Sequence, residues 1–244
     1  VELFAQSETA VWLDSSMLAE GLSRFSYMAD ASGPHAEIVT YDVGSKTVAV
    51  ETRRGVQSYE ESLFDYLARK LRERKTPKAP LPFDFQGGYL GYLGYELKAD
   101  CGGDKAFVSP TPDAKLVFAD RVIAFDHASS EVTLFCLVDE ETCAERERWL
   151  DEVAQRLTTL PRAAEPIFRE KPSSVEPEPR HSPEVYLSLI ARCQEEIQRG
   201  ESYEICLTNQ LRIPHPIDPV ATYRTLRRVS PAPFAALLRF GDLS

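Results

Sequence analysis

Glycines at positions 88, 91 and 94 alternate with tyrosines at 89, 92 and 95 in the segment FQGGYLGYLGYE, residues 85–96. Glycines at a three-residue step let a second backbone approach closely on one side, while the tyrosines present a ring and a hydroxyl on the other. The segment does not fit a phosphate loop. It has no Gly-Lys-Ser/Thr ending and no G-x-G-x-x-G following a clean strand. It belongs to a packed layer, and the rest of the chain has to supply that layer's neighbours.

The patterning around it supplies both strands and helices. Ala10–Leu13 reads as a strand, and Ile38–Tyr41 with Val48–Val50, broken by Asp42-Val43-Gly44-Ser45, reads as a hairpin. Leu63, Phe64, Leu67 and Leu71 recur at helical steps and predict one buried face, ended by Pro77, Pro80 and Pro82. Strands are predicted over Ala114–Phe118, Arg121–Asp126 and Glu131–Val138, followed by a charged helix over about 140–160 whose acidic side is a solvated surface. Six prolines between Pro161 and Pro183 mark a linker or surface crossing. Ser182 then offers an N-cap with Pro183 at the first helical position, Tyr186, Leu189, Ile190, Cys193 and Ile197 form a buried stripe, and Gly200 ends the helix. The expected organisation is an N-terminal α/β region over 1–160, a linker over 161–182 and a further region over 183–244.

With 244 residues, of which 43% are hydrophobic and 27% charged, the chain can bury one large core or two small ones. A net charge of −10 and a pI near 5.0 would repel nucleic acid or an anionic membrane, and the doublets Arg53-Arg54 and Arg227-Arg228 read as solvated surface pairs. No apolar run approaches the roughly 20 residues needed to cross a bilayer, and the N-terminus lacks a secretory pattern. The expectation is a soluble, cytoplasmic protein. Five cysteines without C-x-x-C spacing or nearby histidines predict reduced, mostly buried thiols, with neither a disulfide lattice nor a metal site. The closing FAALLRFGDLS reads as a strand with no return partner, so a fragment is expected.

The second informative stretch is GESYEICLTNQLRIP, residues 200–214. Along Glu204–Ile213 a strand would place Ile205, Leu207, Leu211 and Ile213 on one face, and Glu204, Cys206, Thr208, Gln210 and Arg212 on the other. The polar face suits either solvent or a polar ligand.

These two segments, with Trp12-Leu13-Asp14-Ser15, Ser23-Arg24-Phe25-Ser26, SPTPDAKLVFADRVIAFDH from Ser109 and Ser230-Pro231-Ala232-Pro233-Phe234, resemble in order and spacing the first half of the chorismate-utilising enzymes. They are most similar to the aminodeoxychorismate synthase component I branch, with anthranilate synthase component I as its sibling. The resemblance implies an α/β (α+β) fold, a layered β-sandwich of the anthranilate synthase component I type, incomplete in this chain. It implies amination of chorismate with ammonia from a glutamine amidotransferase, as a partner subunit or fused domain. Magnesium is implied as a cofactor, with ligands and acidic catalytic residues in the family's second half.

Within this chain the resemblance singles out Glu204, with Thr208 beside it on the polar face, as candidate cavity-facing residues. Relatives that add water carry lysine at the Glu204 place and amine-transferring relatives carry Gln or Glu, so Glu204 points to ammonia; a carboxylate that only hydrogen-bonds its neighbours is the alternative. The family's tryptophan site maps onto Ser15, Leu22, Ser23, Arg24, Phe25, Pro233, Phe234 and Ala235. Leu22, Phe25 and Phe234 would enclose an indole, with Ser15 and Arg24 at its amino-acid end. The implied alternatives are an anthranilate synthase, and a non-catalytic half that binds tryptophan and docks the amidotransferase.

Overall fold

A computed structural model describes residues 2–4, 7–161, 176–214 and 216–244. It divides into two units, one of residues 1–164 with 219–244 and one of residues 165–218.

In the first unit the strands are β1 Thr9–Asp14, β2 Phe25–Asp30, β3 Glu37–Asp42, β4 Thr47–Thr52 and β5 Gly55–Glu60, then helix α1 Leu63–Glu73. After these come β6 Gly88–Leu93, β7 Ala114–Ala119, β8 Arg121–Asp126, β9 Glu131–Cys136 and helix α2 Cys143–Thr159. In the second unit lie β10 Glu178–Pro179, α3 Pro183–Gln198 and β11 Leu211–Arg212; α4 Pro219–Val229 and β12 Ala235–Phe240 return to the first.

Two five-stranded sheets form, in the orders β12-β1-β2-β8-β9 and β5-β4-β3-β7-β6. Every neighbouring pair in them is antiparallel. Strand alternation sorts the core into layers. Leu116 on β7 joins Val39, Tyr41, Val48 and Val50 beneath Leu63 and Tyr66 of α1. Its neighbour Val117 points the other way, meeting Leu90, Val11, Ala29, Val122 and Phe240 between the sheets. Ile123 on β8 faces Trp149 and Val153 of α2. The order is α1, sheet, sheet, α2, which is the layered α/β sandwich expected.

The close backbone approach expected of the glycines occurs at Gly91 and Gly94, whereas a Cβ on Gly88 would meet nothing within 4 Å. A Cβ on Gly91 would lie 2.1 Å from the Lys115 carbonyl oxygen, and one on Gly94 would lie 2.6 Å from that of Asp113. Both obstacles are backbone of β7 or the residue before it, which cannot swing aside. The tyrosines do not share one side as expected, because strand side chains alternate: Tyr89 packs with the α1-side layer and its hydroxyl reaches Glu37, Tyr92 packs with the layer between the sheets and its hydroxyl donates to the Pro112 carbonyl at 2.8 Å, and Tyr95 is exposed.

Several expectations need correcting. The buried face of α1 is Leu63 and Tyr66 with Leu67 half-buried, while Phe64 and Leu71 are exposed. Tyr66 wins the inward place because its ring packs while its hydroxyl finds an acceptor in buried Glu37 at 2.9 Å. The cysteines are free, but Cys101, Cys143 and Cys206 are exposed and Cys136 and Cys193 only half-buried. On α3, Ser182 caps as expected, accepting from the Val185 N–H, but its apolar stripe is half-buried at best, with Ile197 exposed.

The strand expected over Glu204–Ile213 forms only at β11, which pairs with β10. Upstream, local bonds take the backbone groups a ladder would use. Ser202 Oγ donates to the Glu204 carbonyl and accepts from its N–H, and the Leu207 N–H donates to the Ile205 carbonyl at 3.2 Å. The expected apolar face, Ile205, Leu211 and Ile213, is exposed. The proline-rich segment falls largely on residues 162–175, outside the described residues. Residues 219–244, expected to continue the region from 183, group instead with the first unit because β12 pairs with β1.

Candidate functional site

At one end of the first unit, two ladders gather the segments expected to enclose an indole. Ala235 opens β12 opposite Asp14, the last residue of β1, and Tyr27 on β2 lies opposite Leu13. The end of β1 and Ser15 therefore have Pro233–Ala235 on one side and Ser23–Phe25 on the other. Further bonds hold the 230–234 turn: the Ala232 N–H donates to Ser16 Oγ at 3.0 Å, and its carbonyl accepts from Met17 N–H at 3.1 Å and from Ser16 Oγ at 3.3 Å. Leu22 and Phe234 are exposed, and Phe25 is half-buried against Phe83 with ring centroids 5.4 Å apart.

The polar groups expected at the amino-acid end already have internal partners. Ser15 Oγ donates to the Phe25 carbonyl at 2.8 Å. Arg24 makes a two-pronged pair with Asp126, at 2.8 and 2.5 Å. That pair, led by the Arg24 hydrogen bond, holds the Asp126 carboxyl well below the usual carboxylate range. Ser23 Oγ donates to the Met17 carbonyl and accepts from the Ala19 N–H, bracing the loop that carries Leu22.

Beneath this surface lies a polar network that the motifs left unread. The Asp14 side chain is fully buried and accepts from Arg227 Nε at 2.7 Å, Arg227 Nη2 at 3.1 Å, the Tyr223 hydroxyl at 3.2 Å and Ser26 Oγ at 3.2 Å. Ser26 Oγ also accepts from the Ser15 N–H and lies 2.7 Å from His127 Nε2. Arg227 covers the Trp12 ring at 5.1 Å, and Tyr223 meets the same ring edge-on. Burial, then the Asp14 charge, pushes the Tyr223 hydroxyl well above the usual tyrosine range. Arg227 is thus no solvated surface residue. Its doublet concealed an anchor, and the available signal was an acidic residue closing an apolar strand.

A second buried carboxylate, Glu37, accepts from the Tyr66 hydroxyl, the Tyr89 hydroxyl and Arg74 Nη2, the last at 2.6 Å. A third, Asp120, turns the chain from one sheet to the other between β7 and β8. Its Oδ2 accepts from the His35 N–H at 2.8 Å, while its Oδ1 is buried without a partner. A Cβ on Gly33 would strike that oxygen at 1.7 Å, so any larger residue there would have to displace the Asp120 carboxylate. Burial pushes the Asp120 carboxyl up, against the His35 N–H, which pulls it down. The folded state therefore favours the proton, and the contribution is full below the unfolded value near 3.9 and lost as pH rises through the folded one. Asp120→Asn is expected to gain stability relative to the parent as pH is raised from about 4. Urea denaturation at a series of pH values checks this, and a difference that stays flat between about pH 4 and 8 contradicts it.

Glu204 and Thr208 lie in the second unit, both exposed and outside any strand. Among the described residues no group of three or more His, Cys, Asp or Glu side chains could hold a metal ion, and no helix is long and apolar enough to cross a membrane.

Comparison with known proteins places these features in a family. The chorismate binding enzyme family matches residues 20–244. An aminodeoxychorismate synthase from Streptomyces pristinaespiralis is 43% identical over 98% of this chain and 34% of its own length. An anthranilate synthase component 1 from Streptomyces coelicolor is 28% identical over 98% of this chain and 45% of its own length. The crystal structure of anthranilate synthase component I from Streptococcus pneumoniae TIGR4 superposes with a TM-score of 0.66 at 20% identity, covering 88% of this chain and 48% of that one. The chain spans about a third of the length of the aminodeoxychorismate synthases it matches.

Proposed function

We propose, from the premise that this chain belongs to the chorismate binding enzyme family, that the whole protein is an aminodeoxychorismate synthase. It would form a C–N bond at the ring carbon bearing chorismate's hydroxyl and release that oxygen as water, giving 4-amino-4-deoxychorismate, a precursor of p-aminobenzoate. The observation that carries this reading is the greater likeness to an aminodeoxychorismate synthase than to an anthranilate synthase, spread along nearly the whole chain.

Ammonia would come from glutamine by way of an amidotransferase, as a partner or a fused domain. Passage through an enclosed route keeps it neutral, whereas most ammonia in neutral water is protonated and cannot attack. Glu204 fits an ammonia-using branch because a carboxylate can accept a proton from an incoming amine, a task the lysine of water-adding relatives performs on water. Magnesium ligands would come from outside the described residues, among which no group of three or more His, Cys, Asp or Glu side chains could hold the ion. The reading places the enzyme in the cytoplasm, with folate synthesis as one destination of its product.

The test is product analysis of the whole protein with chorismate and ammonia. Aminodeoxychorismate is the expected product, and anthranilate in its place would defeat the proposal. A second role for this half is favoured by one observation, the placement of Ser23–Phe25 and Pro233–Ala235 on either side of Ser15. Tryptophan would bind there between Leu22, Phe25 and Phe234. Calorimetry with tryptophan should show saturable binding that Phe234→Ala weakens; absence of heat in the parent protein ends that role.

A further inference from the structure

A cleft unrelated to the indole-enclosing segments opens around Arg74, at the C-terminal end of α1. It has two lobes, of about 420 and about 350 Å3, and Arg74, His35 and Asp139 line both. Arg54 adds a guanidinium to the first lobe and Lys75 an ammonium to the second.

Arg74 is held before any ligand arrives. Its Nη2 donates to Glu37 Oε2 at 2.6 Å, and its guanidinium carbon lies 3.9 Å from the centroid of the buried Phe118 ring. With one prong fixed and the plane stacked, the fork keeps little rotational freedom. The other prong, Nη1, is buried without a hydrogen-bond partner. Buried donors are nearly always paired, and an exception points to a missing acceptor.

The charges facing the cleft do not supply that acceptor. Glu37 is already engaged by Tyr66, Tyr89 and Arg74. Asp139 accepts from the Thr142 N–H and hydroxyl and faces His35 at 3.4 Å. Glu73 is paired with Arg69 and Lys70. The acids of the wall are thus spoken for, except Glu141. On the basic side, Arg53 is committed to Glu145, but Arg54 and Lys75 make no ion pair among the described residues.

We propose that this cleft is a binding site for a compact oxyanion, the phosphate or carboxylate group of a small metabolite, received by Arg74 and closed over by Arg54 and Lys75. A guanidinium pre-set in this way has its second prong left for an oxyanion, and the two exposed cations can fold in from either lobe.

The experiment is calorimetric titration of the intact protein with inorganic phosphate and, separately, with malonate, sodium chloride holding the ionic strength constant so that general screening is unchanged. Saturable binding of at least one probe is expected. Phosphate alone would identify a phosphate group as the ligand, malonate alone a carboxylate, and either supports the site. The paired substitution Arg54→Gln with Lys75→Gln, at exposed positions, should weaken binding about tenfold or more. Arg74→Gln should abolish it, with thermal melting used to establish that this variant folds; if it does not fold, the surface pair decides alone. No saturable binding of either probe, or an affinity unchanged in the surface pair, overturns the proposal.

Discussion

Replacing Glu37 by alanine is expected to destabilise the first unit by about 3–5 kcal/mol, measured by urea denaturation. Glu37 is buried on β3 and receives two tyrosine hydroxyls and a guanidinium. Its removal strands three donors at once, and Arg74, already carrying one unpaired prong, would lose its anchor. The charge left behind, more than the lost attraction, sets the size of the effect. Glu37→Gln keeps an acceptor for the tyrosines and should cost less. A double-mutant cycle with Arg74→Leu separates the two contributions. If the pair behaves as described, Glu37→Leu with Arg74→Leu costs clearly less than the sum of the single changes. Additive losses would mean that the two side chains do not act as a unit.

Asp14→Ala is expected to cost about as much, toward the lower end of about 3–5 kcal/mol, because Arg227 is partly exposed and can recover some hydration. The Asp14 carboxylate joins three elements: β1, which carries it, β2 through Ser26, and α4 through Tyr223 and Arg227. Without it, α4 keeps its packing on β12 but loses its polar tie to β1. Trp12 reports the change directly, since its ring lies against both Tyr223 and Arg227. Its fluorescence in the folded variant should shift, and tryptophan binding at the neighbouring segments should weaken with it. A variant with parental stability and unchanged emission would show that the network is ornamental.

The parts of this fold that could be read in advance are those whose cause is local. The Ile38–Val50 hairpin announces itself by alternation around a turn in which Asp42 accepts from the Ser45 N–H. The N-cap at Ser182 and the glycine approach to β7 likewise depend on near neighbours or on the one residue type that fits. Local pattern and structure part company where a distant partner decides. Hydrophobicity alone directs Phe64 inward, but the acceptor offered by Glu37 selects Tyr66. Alternation over Glu204–Ile213 predicts a strand, but period does not provide a neighbour to pair with, and upstream of Leu211 local serine bonds take the backbone instead. Arg227 looked like half of a surface doublet because nothing near it in the chain hints at Asp14. The segments gathered at the candidate tryptophan site were legible only through family likeness, since their proximity arises from the pairing of β1 with β12.

That pairing also governs when β1 can be covered. Thr9 lies opposite Phe240, so β1 leaves the ribosome long before β12, the strand that covers its outer side. At synthesis rates of about 5–20 residues per second the wait is on the order of 10–50 s, far longer than hairpin formation. During that interval β1, with Val11 in it, has an open edge on the side that β12 will occupy, and the nascent chain would depend on chaperones to keep that edge from pairing with another molecule.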